Sequence, residues 1–226
     1  MAQIDKNTVK AENQLDKEEI ISFDYKENTG KRILFVGNSI TLHAPKEDIG
    51  WSGDWGMAAS SKDKDYVHMT EKMVLEKNND AAFCICQVSS WETVYKDGEK
   101  VLDTFKEARD FGADIILMRI VENCIRDDFD AEIFKKEYKK LISYLSGDKE
   151  PAVIITSGFW KHPGDEALEE VAKEIGADFI YLGELGEQEK MRADGLFEHK
   201  GVAHHPGDLG MQTIAELAFE KIEKYL

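Results

Sequence analysis

The sequence predicts an α/β protein, a three-layer α/β/α sandwich built on a five-stranded parallel sheet of flavodoxin-like order. Three observations predict it. Short runs of strand character alternate with longer amphipathic segments. The connections carry no two-residue hairpin signal. The strand-type runs are apolar at nearly every position, as strands covered on both faces must be. Right-handed crossovers then distribute the helices over both sides of the sheet.

Residues 1–30 read as a charged, weakly patterned N-terminal extension, partly disordered or packed on the domain. Disorder is expected for the first dozen residues, while Ile20, Ile21 and Phe23 could lie along a sheet edge or cover the core. Residues 31–226 form the domain proper. Its first strand, 33–36, stops at Gly37, and Ser39 follows at a tight turn that should open a helix. A loop rich in glycine and tryptophan, 50–57, is too elaborate for a simple connection and reads as a binding loop or a seal on the core edge. A helix follows at 66–77, where Val67, Met69, Met73 and Val74 make an apolar stripe. Strand 82–88 leads into Ser89-Ser90-Trp91-Glu92. A helix at 99–111 ends at Gly112, a usual stop. Strand 114–120 is followed by Val121-Glu122-Asn123. The remaining elements are helix 131–146, strand 152–156, helix 165–175 ending at Gly176, strand 178–182, a long loop, and a last helix at 209–225.

Composition narrows the function. With 226 residues, 42% of them hydrophobic, and only four prolines, the chain can build one sizeable core. Lys and Arg total 29 against 45 Asp and Glu, a net charge of −16, which argues against nucleic acid as a partner. The polar start lacks an apolar signal core and no later run approaches a membrane span, so a soluble, cytoplasmic protein is expected. Cys84, Cys86 and Cys124 are odd in number. Cys84 and Cys86 are assigned to opposite faces of one strand, and all three are expected to be reduced and mostly buried rather than to form a zinc site or a disulfide.

Three polar residues stand at places where such a sheet puts its chemistry. Ser39 follows the first strand, Asn123 the third, and His205 lies in the loop before the last helix. A flavodoxin-like order makes the first and third strands neighbours at the switch point, where these positions can converge. Histidine is the side chain whose ordinary pKa suits it to activate a serine, and a carboxamide can donate to the oxyanion formed on attack at an ester.

Gly37-Asn38-Ser39-Ile40-Thr41, Asp114-Ile115-Ile116-Leu117 leading to Val121-Glu122-Asn123, and His205-Pro206-Gly207-Asp208-Leu209-Gly210-Met211 resemble the first, third and fifth blocks of the SGNH hydrolases, also called GDSL esterases. The resemblance spans about residues 31–226, with the blocks in order and on the right elements. It implies Ser39 as nucleophile, His205 as general base, and an oxyanion hole of the Ser39 amide, the Asn123 side chain and a backbone amide near Ser90. No metal or organic cofactor is implied.

The sequence departs from that pattern in three ways. Asn38 replaces the aspartate beside the serine, a change expected to matter little. The second-block glycine has no obvious counterpart; Ser90 or Trp91 stands near its place. Val202 occupies the position three residues before the histidine where an aspartate is usual. Either the Val202 carbonyl takes the ring proton, or a carboxylate arrives from elsewhere (Asp194, Glu198 and Asp208 being near in sequence), or the enzyme is impaired. His162-Pro163-Gly164-Asp165 repeats the tetrapeptide of His205 and is expected near the pocket mouth, while His43 and His68 read as ordinary polar positions.

The expected reaction is hydrolysis of a small O-acyl ester, acetyl above all, with Trp51, Trp55, Trp91 and Trp160 as candidate platforms for a sugar ring. The alternatives are a lysophospholipase or thioesterase, and a non-catalytic carbohydrate-binding protein on the same scaffold. The expected partner is a small-molecule or carbohydrate ester; the sequence leaves the oligomeric state open.

Overall fold

The computed structural model describes residues 20–226; the disorder expected for the first dozen residues concerns a segment outside them. Six strands form one sheet: β1 (Ile21–Asp24), β2 (Arg32–Gly37), β3 (Ala82–Gln87), β4 (Ile115–Arg119), β5 (Ala152–Thr156) and β6 (Asp178–Ile180), in the order β1-β3-β2-β4-β5-β6. The five strands from β2 onward are parallel and keep the flavodoxin-like order. The sixth corrects the expected count: β1 pairs antiparallel with β3, Phe23 opposite Cys84, and becomes the sheet edge. Four residues with one apolar alternation are too short a pattern to fix a strand without its neighbour.

The helices are α1 (Tyr66–Lys77), α2 (Ser89–Thr93), α3 (Lys106–Asp110), α4 (Ala131–Ser146), α5 (Asp165–Ile175), α6 (Lys200–Ala203) and α7 (Asp208–Ile222). The helix expected at 99–111 is instead a 3-10 stretch, Tyr95–Phe105, with non-helical backbone at Asp97, followed by the single turn of α3. Side chains of Asp65 and Asp130 cap α1 and α4 by accepting the amides of His68 and Ile133, and α5 ends at Gly176 in the left-handed conformation.

The alternation along β2 separates two cores. Leu34 and Val36 pack with Ile116, Met118, Phe134, Leu141 and Leu168 under α4 and α5. Ile33 and Phe35 pack with Phe83, Leu117, Val67, Ile214 and Ala218 under α1 and α7. Cys84 and Cys86 do not face opposite sides. Two apart on a strand, they share the face turned to α4, and all three cysteines are free and buried. Among the described residues, no helix is long and apolar enough to cross a membrane.

Candidate active site

Gly37 ends β2 where the chain folds back on itself: a Cβ there would collide with the Thr41 side chain. Residues 38–42 then make one turn, the Thr41 and Leu42 amides donating to the Asn38 carbonyl at 2.8 and 3.0 Å, instead of the helix expected after Ser39. Among the described residues, the Ser39 amide makes no intramolecular hydrogen bond, which leaves it available as a donor. The Met57 amide donates to the Ser39 carbonyl at 2.8 Å and ties the 50–57 loop to this turn.

His205 reaches the same rim from the connection between α6 and α7. Its Nδ1 lies 2.6 Å from the Gly201 carbonyl and its Nε2 2.8 Å from Ser39 Oγ. A carbonyl can only accept, so the ring proton sits on Nδ1 and Nε2 is free to accept from the hydroxyl. The acceptor is Gly201, one residue before the expected Val202, whose carbonyl takes the His205 amide instead. None of the nearby carboxylates reaches the ring: Asp194 pairs with Arg192 at 2.6 Å, Glu198 is exposed, and Asp208 accepts from Ser60 and Lys64. Burial is the largest influence on His205 and lowers its pKa to about 4, with the Gly201 carbonyl opposing and the Arg119 charge reinforcing. The imidazole is therefore neutral at neutral pH and fit to take a proton.

Beneath this pair lies a buried polar network that sequence reasoning missed. Asn38 Nδ2 donates to Glu92 Oε1 at 3.2 Å and Glu122 Oε2 at 2.7 Å, while its Oδ1 accepts from Arg119. Arg119, with no exposed surface, also donates to Glu122 at 2.6 Å. Glu92 accepts the Val121 amide at 2.7 Å and Asn123 Nδ2 at 2.7 Å. Burial, then the Glu122 charge, push Glu92 up to about 7, whereas at Glu122 burial, the largest single influence, is outweighed by the Arg119 charge together with the hydrogen bonds from the Phe159 amide, Arg119 and Asn38, and the pKa is lowered. The available signal was Arg119 itself, a charge ending an otherwise apolar strand, which is rare without a buried partner. The network also explains Asn38. An aspartate there would set a third carboxylate against Glu92 and Glu122, so the substitution expected to matter little holds the floor of the site together.

The cavity above it, about 240 Å³, is bordered by Ser39, Asn123, Trp160, Arg126, His199 and His205 among others. Asn123 uses one N–H on Glu92 and keeps a second, so its amide can serve the cavity while Glu92 fixes its orientation. Ser90 does not border the cavity; it lies in α2. Of the four candidate tryptophans only Trp160 reaches it, stacked on His204 at 5.3 Å and edge-on to His205 at 5.9 Å. Trp91 is fully buried against Phe134 and Tyr138. Trp51 is buried with Ile49, Met57 and Val202 and donates to the His43 carbonyl, and Trp55 packs edge-on against Trp51 and donates to Ala59. The loop thus seals a small third core, which the spacing of its tryptophans could not distinguish from a binding platform.

The other histidines sort by their partners. His162 is buried and absent from the cavity wall, correcting its expected place at the mouth. His43 is buried beside the loop, its Nδ1 donating to Ala44. His199 was not singled out by the sequence, yet it borders the cavity, and its Nδ1 accepts the Val202 amide at 3.3 Å. Arg126 adds a cation at the same wall. Among the described residues, the one convergent set of three metal-ligating side chains is Asp24, His68 and Glu71, away from these cavity residues.

No family model matches the sequence, and no curated protein matches it by sequence. Solved structures do share its fold. A psychrotrophic esterase from Pseudoalteromonas sp. is 12% identical with a TM-score of 0.53, over 87% of this chain and 98% of that one. A lipase/acylhydrolase from Enterococcus faecalis is 14% identical with a TM-score of 0.58, over 86% and 96%. A two-domain esterase active on acetylated mannans is 15% identical with a TM-score of 0.57, over 89% of this chain and 50% of that one. The chain has the α/β/α fold of the SGNH, or GDSL-like, esterases.

Proposed function

We propose that the protein is a serine esterase that removes a short acyl group from an oxygen ester, working through a Ser39–His205 dyad with a backbone acceptor in place of the triad acid. The observation that carries this reading is the relay from Ser39 Oγ through the imidazole, 2.8 Å, to the Gly201 carbonyl, 2.6 Å. Nε2 takes the hydroxyl proton as Oγ attacks the acyl carbon. The Ser39 amide and the Asn123 side chain donate to the resulting oxyanion. The imidazolium returns its proton to the leaving alcohol, and water, activated by the same nitrogen, then releases the acid and frees Ser39. The Gly201 carbonyl fixes the ring and its tautomer but brings no full charge to steady the imidazolium.

A space of about 240 Å³ with polar groups on its wall suits an acetyl group better than a fatty chain. The structural likeness to an esterase active on acetylated mannans, together with Trp160 at the wall, favours a carbohydrate as the alcohol side. A serine-reactive fluorophosphonate tests the chemistry. Labelling of the wild type that disappears in Ser39→Ala supports the esterase, and an unlabelled wild type would leave a binding protein. Simple esters of graded chain length test the acyl group: activity should peak at acetyl, and a medium-chain optimum would turn the reading to a lysophospholipase or thioesterase.

A further inference from the structure

We propose that Asp24, His68 and Glu71 form a binding site for a divalent transition-metal ion, zinc in the first instance, that pins the edge strand β1 to helix α1. One nitrogen or oxygen from each of the three side chains lies within 4.8 Å of the others. His68 and Glu71, three apart, share a face of α1, and Asp24 comes from the end of β1. This site is independent of the proposed esterase activity.

The case rests on what each atom lacks. Asp24 Oδ2, His68 Nε2 and Glu71 Oε1 are all buried and have no hydrogen-bond partner among the described residues. Buried polar atoms are rarely left so, and three on side chains that lie this close together can share one partner. An imidazolium could account for Asp24, whose Oδ2 lies 3.4 Å from His68 Nε2, and Lys62 stands 3.7 Å from the other oxygen, Oδ1. Neither hydrogen-bonds Glu71, which is 4% exposed and whose Oε1 is likewise buried without a partner. A dication satisfies all three.

His68 is also held as a metal ligand would be. Its Nδ1 lies 2.8 Å from both carboxylate oxygens of Asp65, a fully buried residue that also caps α1 and accepts the Gly56 amide at 2.9 Å. A carboxylate taking the Nδ1 proton turns Nε2 outward as a lone pair and raises its basicity. One imidazole with two carboxylates suits zinc, manganese or cobalt better than magnesium or calcium. Zinc bonds of about 2.0–2.1 Å to such ligands require a closure that the Asp24 and Glu71 side chains can supply by rotation. The hollow beside the cluster, which His68 and Glu71 also line, admits water to complete the coordination.

The test uses the full chain, treated with a chelator, dialysed and titrated with zinc alone in a calorimeter. The site predicts uptake of one zinc per chain, a melting temperature that rises with zinc concentration, and a loss of affinity of roughly tenfold or more in Glu71→Gln and Asp24→Asn. Circular dichroism checks that both variants fold. X-ray absorption on the zinc-loaded wild type, which needs no variant, should report one imidazole among oxygen ligands. No stoichiometric uptake, uptake unchanged in both folded variants, or a coordination shell without exactly one imidazole would each overturn the site.

Discussion

The tetrapeptide His-Pro-Gly-Asp occurs twice, at 162–165 and at 205–208, each time just before a helix that packs on the sheet. The two histidines end in opposite tautomers. His162 accepts the Gly164 amide on Nδ1 at 2.9 Å and donates from Nε2 to the Cys124 carbonyl at 3.2 Å, so both nitrogens serve the fold. His205 donates from Nδ1 to Gly201 and leaves Nε2 to Ser39. The acids diverge as well. Asp165 folds back onto the Gly158 and His162 amides, while Asp208 reaches across to Ser60 and Lys64. A local motif therefore sets how a helix begins, and the partner brought by the distant chain decides whether its histidine can act as a base.

Exchanging each histidine for asparagine is the most direct way to break the comparison. In His205→Asn the loss of the base should lower kcat by roughly 10³-fold or more with little change in melting temperature. His162→Asn should leave kcat within a few-fold and instead lower stability by about 1–2 kcal/mol, because two buried hydrogen bonds are disturbed. Steady-state hydrolysis of a short-chain ester and urea unfolding of both variants give the four numbers. Equal rate losses would mean that the repeat is functionally symmetric.

The next effect concerns the floor on which only one of the two histidines stands. Asn38→Asp restores the residue usual in the SGNH pattern, yet here it replaces an amide that donates to Glu92 and Glu122 with a third carboxylate. Stability should fall by about 3 kcal/mol, as for a broken buried ion-pair network. The measurement is urea unfolding, and a neutral outcome would show that the network repacks around the aspartate.

How far this site could be read in the sequence follows from the same residues. Ser39, Asn123 and His205 were legible because each sits where a strand ends or a helix begins, and the topology forces those ends together. The order of the five parallel strands was legible for a similar reason, since runs buried on both faces admit few arrangements. Arg119, Glu92 and Glu122 were not, because a buried charge shows its meaning only when its partners, from β4, α2 and the turn after β4, are known. Trp91 misled for a related reason: tryptophan at a strand end suits a platform and a core plug equally well, and only the surrounding apolar residues decide, as they do between the two readings left open for Trp51 in the 50–57 loop. Gly201 could not have been found at all, because a backbone carbonyl carries no signature in residue type.

Acidification sharpens the comparison further. Burial lowers the pKa of both histidines, His205 to about 4. A base must be neutral, so kcat/KM should stay level as pH falls through 6.5 and decline only on approach to about 4. Stability behaves differently. Between the ordinary histidine pKa and the lowered one, the unfolded chain binds protons that the folded protein refuses, so each of these histidines makes stability fall as pH drops through that window. Rate and stability profiles should therefore separate, with the melting temperature declining at higher pH than the rate. A rate limb centred near 6.5 would mean that His205 is solvated.

The smallest effect isolates what limits water at His205, which is half-buried at the cavity wall. Each histidine has an aromatic ring standing edge-on to it, Trp160 at 5.9 Å from His205 and Phe129 at 5.5 Å from His162. The arrangement is the same, but Phe129 is half-buried and packs against the core and Phe134, whereas Trp160 borders the cavity. Removing an indole at a cavity wall lets water reach the imidazole and weakens the desolvation that holds its pKa down. Trp160→Leu should therefore move the acid limb of kcat/KM upward by less than about one pH unit while changing kcat only a few-fold. In Phe129→Leu the limb should stay where it is in the wild type, because that ring shields the histidine that takes no part in the reaction. A limb that moves equally in both variants would show that general loosening of the domain, and not solvent at one imidazole, sets the pH response.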